Sequence, residues 1–472
     1  MNAFDAAVVG SGPNGLCAAI VLAQSGLRVV VYEAHDTVGG GARTASSTLS
    51  GFRHDVCSSV HPMALAAPWL RAQDLASHGL SWCQPTTPSA HALDDGAALL
   101  HRSLDDMVTS LGSDGAAWRS AFEPLVHNSE AIFDAALGPP SFGAPMELAR
   151  LGWLAMRSVQ SLADRFERSA TRALLAGVGA HSILPLDKTP SAAITVMLTL
   201  AGHTVGWPMP RGGAQALPDA LASMFEATGG LVRTGVTIDH LDQIETSGPV
   251  LFETAPRDLV RIAGDALPDR YKEALGRYRH GPGLFKVDWA LAEPIPWADP
   301  GLRRAGTVHC GGSFEEVAAS EAAVWRGEVA ERGMVLLVQP SVCDPTRAPD
   351  GRAVAWGYVH TPPGDTRDRT DAIEAQVERF APGFRDTVLA RATVNAAELE
   401  AYNPTYVGGD VIGGVADLPQ AFARPVLRLD PWRTPNPRLF LCSSSTPPGG
   451  GVHGQCGVNA AQCVLKTVGS RA

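Results

Sequence analysis

Gly10-Ser11-Gly12-Pro13-Asn14-Gly15 stands directly after the apolar run Ala6–Val9 and directly before a stretch of helical pattern that starts at Leu16. Glycines at this spacing do separate jobs. Gly10 permits a tight turn, Gly12 lets backbone approach a pyrophosphate, and Gly15 lets the helix pack on the strand. The helix start, with Pro13 and Asn14 in it, offers free N–H groups and a positive dipole end to a phosphate. A second valine-rich strand over 27–32 ends at Glu33-Ala34. That is roughly 20 residues past the turn, where an acid accepts bonds from ribose hydroxyls. The glycine pattern alone is a weak signal, and a turn with no ligand is the plainer reading. Strand, turn, helix, strand and acid together make a complete dinucleotide-binding unit, and an acid at Glu33 disfavours a 2′-phosphate.

Two more glycine clusters follow. Gly39-Gly40-Gly41-Ala42-Arg43-Thr44 lies just past the acid and can bring backbone and a guanidinium to a pyrophosphate. Near the end of the chain, a strand-like run over 438–442 meets Ser443-Ser444-Ser445-Thr446-Pro447-Pro448, then Gly449-Gly450-Gly451-Val452-His453-Gly454, and a helix opens at Gly457. The Gly-Gly-x-x-Arg step resembles that of FAD enzymes of the amine oxidase and phytoene desaturase type. The whole chain resembles the phytoene desaturase-like flavoproteins, in the branch related to phytoene dehydrogenase. The resemblance implies noncovalent FAD, held by Gly10, Gly12, Pro13, Asn14, Gly15, Glu33, Ala34, Gly40, Gly41, Ala42 and Arg43. It also implies that Ser445, Gly450, Gly451 and Val452 lie against the flavin ring and ribityl chain, and that backbone at Val236 clamps the adenine. Carotenoid desaturases carry a His-Pro step before the tail glycines, whereas this chain has Thr446-Pro447-Pro448.

Flavin performs hydride chemistry while the protein positions the substrate, so polar side chains near these motifs are the candidates for acid or base work. They are His453 in the tail turn, His61 after the second cluster, His203 before Gly206-Trp207, and Lys286 on an alternating strand after Gly281-Pro282-Gly283. Each histidine has a suitable unperturbed pKa, and each could equally be a hydrogen-bonded structural residue. Lys286 and Asp288, two apart, could instead share one strand face as a solvated pair. No G-x-S-x-G elbow, H-E-x-x-H or Cys/His cluster occurs, which disfavours a serine hydrolase and a metal site.

These residues need a scaffold. The 472 residues exceed one ordinary domain, and 45% hydrophobic with 18% charged composition can bury a large core. A formal charge of −10 without a basic run argues against nucleic acid, and no apolar stretch is long enough to span a membrane. Eight scattered cysteines without a C-x-x-C pair suit a reducing, cytoplasmic setting. Helical spacing marks 104–111, 116–137, 146–168, 191–200 and 370–380, and strands are predicted over 231–238, 250–254, 283–291, 334–338 and 353–360. The expected class is α/β: a doubly wound FAD-binding Rossmann-type domain with an interleaved mixed-sheet and helical substrate domain. The first takes 1–85, 208–282 and 405–472. The second takes 86–207 and 283–404, with a helical lid that also walls an apolar pocket. The expected function is oxidation, desaturation or isomerisation of a mainly apolar small molecule. An amine or amino-acid oxidase-like enzyme and a noncatalytic flavin-binding scaffold are the alternatives. A single dinucleotide fingerprint gives no support for a second, NAD(P)-binding domain. The electron acceptor stays open between oxygen, a quinone and another carrier, and oligomeric state leaves no sequence signal.

Overall fold

The computed structural model describes residues 4–138 and 145–469. Five short strands form a wholly parallel sheet: β1 (Ala6–Val9), β2 (Val29–Tyr32), β3 (Leu231–Arg233), β4 (Val250–Phe252) and β5 (Leu439–Leu441), in the order β5-β4-β1-β2-β3. Parallel sheets are covered on both faces, which is why these strands read as unbroken apolar runs. Alternation along β1 sends Ala6 and Val8 to one core and Ala7 and Val9 to another. On the first face lie helices α1 (Pro13–Gln24), α2 (Ala216–Ala227) and α3 (Gln455–Gly469), with α1 packed between the other two. Helix α1 begins with Pro13 at its first position and ends at Gly26, φ +90°, whose N–H bonds Ala23 O while Leu27 N–H bonds Leu22 O. Proline in and glycine out are the favoured helix boundaries.

The strand predicted over 231–238 stops at Arg233. Gly235, at φ +69°, turns the chain so that Gly235 N–H reaches His35 O and Val236 N–H reaches Glu33 O at 2.8 Å. The ladder partner is thus replaced by the loop at the end of β2.

A seven-stranded mixed sheet runs in the order Val388–Val394, Gly283–Leu291, Ala353–Thr361, Val335–Val338, Ala305–Cys310, Thr87–Leu93, Gly96–Leu100. Only the pairing of Ala305–Cys310 with Thr87–Leu93 is parallel. Helix Thr370–Phe380 covers one face, where Ile373, Val377 and Phe380 meet Phe285, Val287 and Trp289. Helix Ser169–Ala180 stands on the other, with helix Ala192–His203 packed against it. The helix predicted over 116–137 divides at Asn128, and that over 146–168 divides before Val159, where the Ser158 hydroxyl caps a new helix by accepting from Ser161 N–H. Among the described residues, no helix is long and apolar enough to cross a membrane.

One buried ionic hub ties distant segments together. The Asp55 carboxylate accepts from Thr44 Oγ1 at 2.7 Å, Ala214 N–H at 2.8 Å, Arg347 Nη2 at 2.5 Å and the Ser59 hydroxyl. Asp55 and Arg347 are fully buried. Ser59 in turn accepts from Trp356 Nε1 at 2.7 Å. Residues 44–59, 214, 347 and 356 are thereby locked to one another, and Trp356 belongs to the wall of the cavity described next.

Candidate functional site

One continuous cavity of about 550 Å3 runs from the carboxyl ends of β1, β2 and β4 to the face of the seven-stranded sheet that carries helix Ser169–Ala180. Ligands in open parallel sheets bind at such strand ends. Its first part is the glycine turn. A Cβ on Gly15 would lie 2.2 Å from Gly10 O, and one on Gly12 would lie 2.6 Å from Glu253 Oε1. Gly10 itself sits at φ +101°. Gly10 and Gly15 admit only glycine, and at Gly12 a side chain would displace the Glu253 carboxyl, so the turn can bring its backbone against a ligand.

Glu253, just past β4, was not anticipated from the sequence. Its Oε1 accepts Asn14 N–H at 3.0 Å, at the open end of α1. Burial pushes this carboxyl up to about 8, against the opposing pull of the Gly15, Asn14 and Gly12 N–H groups, and Glu33 adds to the rise. A neutral acid therefore stands at the helix end that offers N–H groups to an anion.

Glu33 and Arg43 face each other across the same end, with Arg43 Nη2 3.0 Å from Glu33 Oε1. Glu33 also accepts from Ser11 Oγ at 2.5 Å and His35 N–H at 2.9 Å, and Arg43 donates to Thr37 O at 2.6 Å. Arg43 is thus engaged by Glu33 and by backbone, rather than standing free for a phosphate. Ala34, Gly40, Gly41, Ala42 and Val236 all line this part of the cavity. Gly15 does not, because it is enclosed between the turn and Glu253.

The tail supplies the middle of the cavity through Ser445, Gly450, Gly451, Val452 and His453. Gly449 and Gly451 take φ of +112° and +139°, and Val452 takes +53°, a region that a β-branched residue rarely visits. Such local strain is held only where the surroundings fix it. His453 Nδ1 accepts Gln455 N–H at 3.1 Å, and its Nε2 is buried without a partner. Burial lowers this imidazole to about 4.

The other acid–base candidates lie elsewhere. His61 is buried behind the wall, with Nε2 3.0 Å from Ser58 Oγ and its pKa lowered to about 4 by burial. His203 accepts from Trp118 Nε1 at 3.0 Å and packs among Trp118 and Phe122. Lys286 is buried, ion-paired with Asp288, with its ammonium 5.1 Å from the Trp356 ring centroid. The pair is therefore enclosed, neither solvated nor turned to the cavity, the two readings the sequence left open. None of these three lines the cavity.

The far part is mostly apolar. Ile194, Met197 and Leu198 come from one helix, and Leu336, Val338, Trp356 and Tyr358 from the sheet. Trp356 and Tyr358 stack with centroids 5.9 Å apart. The Trp-x-Tyr-x-His alternation at 356–360 was the sequence signal that could have put these rings on one face. His181 also lines this end, and nothing in its local sequence marks it. Among the described residues, no group of three or more His, Cys, Asp or Glu side chains could hold a metal ion.

Comparison with known proteins agrees with this arrangement. Residues 8–72 match the model of the NAD(P)-binding Rossmann-like domain. A pyridine nucleotide-disulfide oxidoreductase domain-containing protein 2 from Mus musculus is 25% identical, covering 98% of this chain and 93% of its own length. A phytoene dehydrogenase from Streptomyces griseus is 26% identical, covering 94% of this chain and 91% of its own. The crystal structure of an oxidoreductase from Methanosarcina mazei superposes with a TM-score of 0.65 at 16% identity, over 98% of this chain and 99% of that one. With its Rossmann-type nucleotide unit and its tail folded onto the same cavity, the chain is an oxidoreductase, similar over nearly its whole length to relatives named as a phytoene dehydrogenase and as a pyridine nucleotide-disulfide oxidoreductase domain-containing protein.

Proposed function

We propose that the chain binds FAD noncovalently and oxidises, desaturates or isomerises a mainly apolar small molecule. The observation that carries this reading is the continuity of the cavity. One end has a close-packed glycine turn at a helix start beside Glu33, the tail glycines follow, and an apolar chamber closes the other end. The cradle fits a dinucleotide: Gly10, Gly12 and the start of α1 suit the pyrophosphate, Glu33 a ribose, Val236 the adenine, and Ser445 with Gly450 to Val452 the flavin ring. FAD would supply hydride acceptance and donation. The protein's part is to bury an apolar substrate between Trp356, Tyr358 and helix Ala192–His203, exclude water, and present His453 beside the tail turn. Amine oxidation has less support, since the cavity's carboxylates, Glu33, Glu253 and Asp258, all lie at the nucleotide end. The test is direct. Purified protein should be yellow, and a polyene or another apolar donor should bleach it without oxygen. Bleaching by amines alone would move the assignment to amine oxidation, and a folded protein that takes up no FAD would end it.

Glu253 makes this binding depend on pH. Its folded pKa lies above the ordinary 4.5, so the fold favours the protonated form. That contribution to stability is complete at low pH and is lost as pH rises towards about 8. Ionisation also places a negative charge beside the phosphates. FAD affinity should therefore fall by about tenfold or more between pH ~6 and ~9, a modest share of one close charge–charge repulsion. Glu253→Gln should abolish the fall. Fluorescence titration of FAD across pH reads both, and parallel slopes in the two proteins would refute the link.

A further inference from the structure

We infer that the far end of the cavity is a polar-group site, headed by His181 and backed by His309, which takes a neutral oxygen function (hydroxyl or carbonyl) on an otherwise apolar substrate. The inference deepens the proposed function and rests on its apolar chamber.

His181 follows directly on helix Ser169–Ala180, and its Nε2 lies 2.9 Å from His309 Nε2. His309 is fully buried on strand Ala305–Cys310, two residues from the cavity-lining Thr307 and on the same face. His91 stands on the neighbouring strand in register with His309, its Nε2 2.7 Å from Gly312 O. Helix Ser169–Ala180 comes down onto these rings only because residue 177 is glycine. A Cβ there would lie 2.5 Å from His91 Nδ1 and 2.8 Å from His309 Cβ. The close approach sets His181 at the cavity wall, with Trp207 packed edge-on at 5.7 Å.

The pair shares one proton. Either His309 donates to His181, and His181 Nδ1 then carries an N–H, or His181 donates and its Nδ1 is a bare acceptor. With Nε2 committed to His309, Nδ1 is the nitrogen left for a ligand. The same pair thus serves a carbonyl through the first arrangement and a hydroxyl through either. Buried polar atoms without partners gather here: His309 Nδ1, His91 Nδ1 and Thr307 Oγ1. Unpaired buried polar groups are costly in an apolar wall. Of the three, Thr307 lines the cavity, so a ligand oxygen at this end can give its hydroxyl a partner. A charged group is disfavoured. Burial, with His360 adding to it, holds His181 down at about 3, so it stays neutral. The cavity-lining carboxylates that could pair with a cation lie at the other end.

The test uses the full chain and calorimetric titration with n-octane, 1-octanol, 2-octanone and octanoate. Wild type should prefer the alcohol and the ketone over octane by about 3- to 10-fold, the worth of one neutral hydrogen bond, and should bind octanoate more weakly. In His181→Phe the preference should vanish while octane binding and FAD content persist. His181→Gln, which keeps a donor and an acceptor, should retain part of it. His309→Leu should weaken it without touching the cavity wall, and answers the question if His181→Phe does not fold. An undiminished preference in these variants would overturn the assignment, as would tightest binding of octanoate or no preference in folded wild type. Calorimetry needs no flavin signal. A protein that takes up no FAD yet shows the octanol preference would refute the flavin reading alone.

Discussion

Gly15→Ala should abolish FAD uptake and lower the stability of the chain, whereas Gly12→Ala should weaken FAD binding and leave the fold intact. The two glycines share one turn, and the difference lies in what each new methyl group meets. At Gly15 the nearest atom is a backbone oxygen, Gly10 O at 2.2 Å, with Glu253 Oε2 at 2.5 Å. Backbone at the end of β1 cannot yield without moving the sheet, and such overpacking costs about 1–3 kcal/mol, here at the upper end because the contact is with backbone. Displacing α1 from β1 spoils the N–H geometry at the helix start, so FAD binding should fall by about 100-fold or more, two decades at ~1.4 kcal/mol each. At Gly12 the three nearest atoms all belong to the Glu253 carboxyl, at 2.6, 2.9 and 3.0 Å. That group is the end of a flexible side chain and can swing away, though only into the space where the phosphates belong. Adding Glu253→Ala to Gly12→Ala should therefore recover much of the lost affinity, and adding it to Gly15→Ala should not. Thermal denaturation and FAD titration on the same preparations separate the two effects. Equal loss of stability in both single variants would refute the argument.

The nucleotide half was legible because its chemistry is local. A glycine turn, a helix start and an acid lie within the first 33 residues, and each has a conformational reason for its residue type. The tail was legible for the same reason: positive φ at Gly449 and Gly451 is a property that sequence can announce. What escaped was non-local. Glu253 looks like any residue after a strand, and only pairing of β4 with β1 brings it to the open end of α1. His181 and His309 are separated by 128 positions and meet only because the helix after 169 lies across the sheet. The strands at 87–93, 96–100, 305–310 and 388–394 went unrecognised too. Two of them, 87–93 and 305–310, consist largely of small and polar residues, and their apolar pattern is weak. Lys286 shows the converse. Periodicity placed it correctly on a strand, but burial with Asp288 follows from the pairing of that strand on both sides.

The pair Asp55–Arg347 should be worth more as a pair than either member alone. Both groups are fully buried, and taking either charge out of water is expensive. Replacing one partner, by Asp55→Asn or Arg347→Met, leaves the other charge enclosed and should cost about 3–5 kcal/mol. The double variant should cost clearly less than the sum, because no uncompensated charge remains. Burial alone would raise the Asp55 carboxyl. The Arg347 guanidinium, the Ser59 hydroxyl and Ala214 N–H outweigh it and hold the group below the usual carboxylate range. A carboxyl depressed in the fold contributes stability above its unfolded pKa, and that contribution is lost as pH falls through the folded value. Wild type should thus lose stability more steeply than Asp55→Asn below pH ~4. Urea unfolding of flavin-free protein measures all three variants without ligand linkage. The hub also reaches the cavity, since Ser59 bonds both Asp55 and the indole of Trp356. In the single variants the far wall should loosen, and apolar probes should bind more weakly even where the chain stays folded. Additive losses in the double variant would mean that the two charges act separately, and the hub would then be packing rather than a coupled pair.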